Sequence, residues 1–184
     1  MNRRAIAALA LAAFAVACGS PLQNAANRLI EQVRLGDPLA NQTYTENEEL
    51  LLSAEAVPIW TDALENSDSP QVQAWAAQML GAIGDESTLP VLAAAMAGNR
   101  DVRDAAVDAI RQFPDAPAGS AFVMALESGN RDAEATALAQ ISRLETPEAV
   151  DVVAGIAGRG DSLTSRSALV TLGDIGTPGA AVER

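Results

Sequence analysis

Apolar residues recur at helical spacing along most of the chain, in blocks that resemble one another. From Glu48 onward the sequence compares well with itself at a period of 30 to 31 residues. Residues at i, i+4 and i+7 share one helix face, so each block predicts a helix with a buried stripe. The matching columns of these second helices are Ala76, Ala106, Ala137 and Ala168; Ala77, Val107, Leu138 and Leu169; Leu80, Ile110, Ile141 and Leu172; and Ile83, Phe113, Leu144 and Ile175.

A second set of apolar columns precedes the first set in every period and predicts a first helix. Turn residues separate the two helices at 67–70, 98–101, 129–132 and 158–161. We expect glycine or asparagine to end one helix in the left-handed conformation, and aspartate or serine to cap the next. The first-helix columns are Trp60, Val91, Phe122 and Val152, and Leu64, Ala95, Leu126 and Ile156.

The repeating unit is therefore a helical hairpin, which is too small to bury its own apolar face. Neighbouring hairpins must stack, and a stack of this kind is a solenoid. The 3% aromatic content also favours closely packed helices over a sheet. We predict an all-α fold, a right-handed α-solenoid of about four hairpins in a domain at 48–184. Its units are about 55–85, 86–115, 116–145 and 146–176, with a partial fifth at 177–184.

The N-terminus has the pattern of an export signal. Arg3 and Arg4 precede an apolar run that ends at Cys18, too short for a lasting membrane span. We predict a signal peptide at 1–17. The segment 18–47 is expected to form a tether and an N-terminal capping helix that stops at 36–38, with 41–47 as a loop.

The end of this run, Ala15, Val16, Ala17 and Cys18, resembles the lipobox of bacterial lipoproteins, although that family prefers leucine where Ala15 stands. The resemblance implies that Cys18 carries lipid, including palmitate, and anchors the chain to a membrane. Gly19 in place of aspartate implies the outer membrane, with the protein facing the periplasm. The alternative is an ordinary secretory signal with a chance cysteine.

Composition excludes several kinds of chemistry. The chain has no histidine and one cysteine, so a histidine triad, a His/Cys zinc site and an intrachain disulfide lack their atoms. The net charge is −12 and becomes −14 without Arg3 and Arg4, which disfavours nucleic acid as a partner. We predict no enzyme activity, no catalytic or metal-binding residues and no cofactor.

The segments 71–85 and 99–110 resemble the second-helix motif of HEAT-like repeats of the short, phycobilin-lyase type. The resemblance covers roughly 57–176 and implies a protein-binding scaffold; a few family members are lyases or DNA-repair enzymes, and the acidic surface argues against the latter. The family's helix-opening arginine is present as Arg103 but replaced by Gln73, Glu134 and Ser165.

Candidate protein-binding residues form the outward stripe of the second helices. Low charge on this stripe marks either a partner surface or the helix preference of alanine. Trp75 either packs against the N-terminal helix or anchors a partner. Asp104 and Asp108 either share a cation or belong to a solvated face neutralised by Arg103 and Arg111. The candidates are Trp75, Gln78, Asp104, Asp108, Arg111, Arg166 and Val170, with Ala74, Ala135, Ala139 and Ser142 on the same stripe.

The leading functional hypothesis is a non-enzymatic, membrane-tethered scaffold for protein–protein interaction in the cell envelope. The alternatives are a lyase-like or chromophore-handling enzyme of the same repeat family, and a purely structural envelope lipoprotein. The sequence leaves open the identity of the protein or peptide partner and the oligomeric state.

Overall fold

The structure is a computed structural model that describes residues 19–160 and 163–176. The predicted signal peptide, Cys18 and the partial fifth unit lie outside the described residues. Every regular element within them is helical, which agrees with the predicted fold class.

Three helices form the N-terminal part: α1 (Pro21–Leu35), α2 (Ala40–Glu46) and α3 (Glu48–Leu51). Helix α1 begins where the Ser20 hydroxyl accepts from the Gln23 amide at 3.1 Å, and it ends at Gly36 with φ of 65°. The predicted tether is therefore short, because α1 starts three residues after Cys18.

The prediction of a loop at 41–47 is wrong, because most of that segment is helix α2. Its polar side chains hydrogen-bond within the segment: Thr45 donates to the Asn41 carbonyl at 3.0 Å, and Asn47 donates to the Thr43 carbonyl at 2.9 Å. Ala40 and Thr43 are buried, and α2 packs against α1. Tertiary burial of two small residues thus stabilises a helix that shows no apolar stripe in the sequence.

Four hairpins follow, each made of a first helix, a tight turn and a second helix. The second helices α5 and α7 pack against each other, as do α9 and α11, and successive first helices also touch. Helix α1 packs on α5 and so covers the N-terminal end of the stack. The pairs are α4 (Val57–Asn66) with α5 (Pro70–Ile83), α6 (Leu89–Ala95) with α7 (Arg100–Ile110), α8 (Asp115–Glu127) with α9 (Arg131–Leu144), and α10 (Val150–Ala157) with α11 (Leu163–Ile175).

The second helix of the first hairpin is capped by serine, as expected, whereas those of the second and third hairpins are capped by asparagine instead of aspartate. Ser69 accepts from the Val72 amide at 3.4 Å, and Asn99 accepts from the Val102 amide at 3.1 Å. Asn130 accepts from the amides of Asp132 and Ala133 at 3.0 and 3.1 Å. The aspartates one or two positions later lie in the first helical turn, where their charge favours the helix dipole.

The central alanine column of the second helices is confirmed: Ala76, Ala106, Ala137 and Ala168 have no exposed surface. The neighbouring column holds in three hairpins and fails in the last, where Leu169 is 59% exposed. No hairpin comes after α11 among the described residues, so Leu169 faces outward.

The first-helix columns need a shift of one residue in two hairpins. Val91, Ala95 and Val152 are half-buried, whereas Leu92 and Val153 are fully buried and equivalent to Trp60 and Phe122. Three-residue 3₁₀ turns at Ala54–Ala56, Glu86–Thr88 and Pro147–Ala149 lead into α4, α6 and α10, and the connections between helices differ in length. The spacing between equivalent residues thus varies by a residue, which a fixed period misses.

The second helices of the first two hairpins approach very closely at Gly81. A Cβ atom added there would lie 2.7 Å from the Cα of Ala109, closer than real Cβ atoms come to backbone. Glycine is therefore required at this crossing for close packing.

We predict that Gly81→Ala lowers the free energy of unfolding by about 1–3 kcal/mol, because overpacking outweighs the higher helix propensity of alanine. The matched control is Gly155→Ala in α10, where an added Cβ meets no atom within 4 Å. The control should be neutral or stabilising by up to about 1 kcal/mol. Urea unfolding measures both variants, and equal effects would contradict the close crossing.

Candidate functional site

The predicted outward stripe exists as an exposed surface of the second helices, here called the second-helix face. Six of the predicted residues lie on it and are exposed: Gln78, Asp104, Asp108, Arg111, Arg166 and Val170. Ala135 and Ala139 of α9 are also exposed, while Ala74 and Ser142 are half-buried. Each second helix contributes two equivalent positions to most of the face. One column holds Gln78, Asp108, Ala139 and Val170, and the other holds Ala74, Asp104, Ala135 and Arg166.

Charges on this face are paired within α7. The Arg100 guanidinium lies 3.7 Å from the Asp104 carboxylate, and Arg111 lies 3.6 Å from Asp108. Each such exposed pair contributes at most about 1 kcal/mol, but each lowers the charge that a partner meets. The expected neutralising role of Arg103 is wrong, since Arg103 bonds the Gly98 carbonyl at 3.2 Å instead.

No cluster of three or more potential metal ligands occurs within 19–160 and 163–176. Asp104 and Asp108 each lie beside an arginine, and among the described residues no third potential metal ligand joins them. The geometry fits a solvated and partly neutralised face.

The end of the face on α11 is apolar. Val170 is 66% exposed and its neighbour Leu169 is 59% exposed, and Leu163 at the start of the helix is also exposed. Three of the eight large exposed apolar side chains among the described residues lie in α11 and give the last described hairpin a hydrophobic end. Leu169 was expected in the core, so the sequence alone did not identify this patch.

Trp75 packs against the N-terminal part rather than standing free. Its ring lies edge-to-face with Tyr44 of α2, with centroids 6.1 Å apart and an interplanar angle of 73°. The Tyr44 hydroxyl donates to a Glu48 carboxylate oxygen at 3.0 Å. Burial, followed by the Glu48 hydrogen bond and charge, raises the pKa of Tyr44 above its usual range. The expected contact with the N-terminal helix is therefore made by α2.

The column of the helix-opening arginine has a shared structural role. Gln73 donates to the Leu64 carbonyl at 3.2 Å, and Ser165 donates to the equivalent Ile156 carbonyl at 3.0 Å. Arg103 also bonds a carbonyl in the preceding turn. These side chains satisfy carbonyls at the ends of the first helices, which have no partner within the helix.

Glu134 is the exception in this column. Its side chain is 1% exposed, and its two carboxylate oxygens accept from Arg159 at 2.7 and 2.9 Å. Arg159 belongs to the turn of the next hairpin, so this ion pair crosses the junction between the third and fourth hairpins. Sequence reasoning missed the pair because nothing in the spacing indicates which arginine reaches across.

Two surface grooves lie away from the second-helix face. One of about 390 Å³ lies between α1 and α4 and is lined by amide, hydroxyl and charged side chains together with Ile30 and Ile59. Another of about 380 Å³ lies between α4 and α6. Among the described helices, none is both long and apolar enough to cross a membrane.

Residues 57–133 match the family model for HEAT repeats. The hairpins within this range are similar to HEAT repeats. The match runs from the start of α4 to the first turn of α9, and the third and fourth hairpins repeat the same buried alanine column beyond it. No curated protein matches the chain.

Proposed function

We propose that this HEAT-like repeat protein is a non-enzymatic, membrane-tethered scaffold of the cell envelope. It binds a protein or peptide through the second-helix face. The observation that carries the proposal is the second-helix face, which the stacked hairpins leave exposed and do not use for packing against one another.

The physical properties of the face support a polypeptide partner. The carboxylates of Asp104 and Asp108 are neutralised within their own helix, and α9 presents alanine at two equivalent positions. Val170 and Leu169 add exposed apolar surface next to Arg166. Depletion of net charge with an apolar patch and an arginine is typical of protein interfaces.

The same residues give little support to catalysis. Acid–base chemistry needs a group with a tuned pKa near a reacting atom, and the chain has no histidine. Segments 71–85 and 99–110 resemble HEAT-like repeats of the short, phycobilin-lyase type, and we propose for this chain the scaffolding role that the resemblance implies.

The tether is proposed from the lipobox-like residues that end at Cys18. Only Gly19 and Ser20 separate Cys18 from helix α1. A chain of three residue steps spans at most about 10 Å, so a lipid on Cys18 would hold the N-terminal helices close to the bilayer. A diacylated or triacylated cysteine gives stable anchoring, and Gly19 favours the outer membrane with the repeats facing the periplasm.

We predict that a photoreactive amino acid placed at Gln78 or Val170 crosslinks one specific envelope protein, identified by mass spectrometry. Val170→Asp should abolish this crosslink from Gln78, because a charge at an apolar interface position is strongly unfavourable. The matched control is Val150→Asp, at an exposed valine on the first helix α10. Circular dichroism should show that both variants keep their helix content.

Loss of the crosslink in both variants, or in neither, would contradict a binding role for the second-helix face. A crosslink from the first-helix side alone would place the interface elsewhere.

We predict that Cys18→Ala moves the protein from the membrane fraction to the soluble envelope fraction and abolishes incorporation of labelled palmitate. The chain has a single cysteine, so the label reports on this position alone. Asn27→Ala, an exposed change in α1, serves as the control and should stay in the membrane fraction. Palmitate labelling that survives Cys18→Ala would rule out this anchor.

A further inference from the structure

The groove between α4 and α6 lies at the junction of the first and second hairpins, beside the turns that connect their helices. It measures about 380 Å³. Leu64, Val91 and Val102 contribute apolar surface, and the polar side chains of Glu65 and Gln73 line it as well. The equivalent places at the two later junctions show which side chains can occupy this part of the fold.

At the junction of the second and third hairpins, the equivalent place holds an arginine of the second helix. Arg103 occupies the position of Gln73, and its side chain is 14% exposed. The guanidinium donates to the Gly98 carbonyl at 3.2 Å and lies 3.5 Å from the Asp132 carboxylate of the next hairpin. This junction is therefore filled by a guanidinium.

At the junction of the third and fourth hairpins, a guanidinium enters from the opposite side. Arg159 lies in the turn of the fourth hairpin, as Gly98 lies in the turn of the second, and it meets Glu134, which occupies the position of Gln73. The Glu134 carboxylate accepts hydrogen bonds of 2.7 and 2.9 Å from Arg159, and Glu134 is almost completely buried. A guanidinium thus occupies this place in both later junctions, although the arginine comes from different positions.

The first junction has neither arginine. Gln73 stands in the place of Arg103, and no arginine is among the residues that line the groove. The Gln73 side-chain nitrogen donates to the Leu64 carbonyl at 3.2 Å, which leaves the side-chain oxygen available as an acceptor. Glu65 forms no salt bridge with any described residue. The groove therefore offers a carboxylate and an amide oxygen beside apolar surface, the combination that suits the stem and head of an arginine.

We propose that this groove binds an arginine side chain of a partner polypeptide, in the place that Arg103 and Arg159 fill at the later junctions. The net charge of −12 favours the approach of a basic segment, and Glu65 supplies a negative charge at the groove. The inference rests on the proposed scaffold function only in assigning the arginine to a polypeptide. The preference of the groove for a guanidinium is tested separately.

The test uses nuclear magnetic resonance titration of the exported chain with Nα-acetyl-arginine N-methylamide. The matched probe is the citrulline analogue, which has the same shape but no charge. We expect the arginine probe to shift the amide signals of Gln73, Val91, Ala95 and Gly98, and the citrulline probe to bind at least about threefold more weakly.

Two variants locate the binding in the groove. Gln73→Arg places the arginine of the next hairpin at the equivalent position and should abolish the shifts by filling the groove from within. Glu65→Gln should weaken binding about threefold or more. The control is Glu127→Gln, which changes the equivalent glutamate of the third hairpin and should leave binding unchanged.

Equal binding of the two probes, shifts confined to other residues, or no binding of the arginine probe would overturn the proposal. Because Glu65 is exposed, its variant keeps the test valid even if Gln73→Arg fails to fold. Failure here with a persisting crosslink from Val170 would remove the arginine site and leave the scaffold function intact. Arginine binding without that crosslink would support the arginine site and remove the second-helix face as the binding surface.

Discussion

Burial of an apolar face that one hairpin cannot hide is the constraint on which the rest of this structure depends. Each second helix places an alanine at its centre, and the absence of a larger side chain lets neighbouring helices approach. Gly81 is the extreme case, because its hydrogen lies against the backbone of Ala109. Close approach gains dispersion energy over many atoms, and it makes each hairpin depend on its neighbours.

The same constraint divides the surface into two classes of position. Residues that pack between hairpins are small or apolar, and because they are buried they cannot contact a partner. Gln78, Asp108, Ala139 and Val170 lie two positions after the buried alanines and are exposed. Differences between junctions create local chemistry. The later junctions are bridged by Arg103 and by the Glu134–Arg159 pair, while the first junction keeps an open groove.

Much of the fold was predictable because helical periodicity is a local property. The alanine column and the hairpin order follow from residues three and four apart. Three features were not predictable for physical reasons. Helix α2 depends on burial against α1, the shift at Leu92 and Val153 depends on the unequal lengths of the connections between helices, and the exposure of Leu169 depends on whether another hairpin packs over α11.

The candidate site was predictable to a smaller extent. Exposed positions of the second-helix face followed from helix geometry, and the structure agrees for Gln78, Asp104, Asp108, Arg111, Arg166 and Val170. The partner of Trp75 and the reach of Arg159 depend on side-chain directions between hairpins. Such contacts have no signature in sequence spacing.

Native-state hydrogen exchange of Leu138→Ala tests the central claim most directly. Leu138 is buried in α9, and its carbonyl accepts from Thr171 of α11 at 3.5 Å. The substitution should cost about 2–5 kcal/mol at the junction of the third and fourth hairpins. If hairpins are stabilised by their neighbours, amides of α9 to α11 lose protection while those of α4 to α7 keep theirs. An equal loss of protection in all helices would contradict a stack in which each hairpin is stabilised by its immediate neighbours.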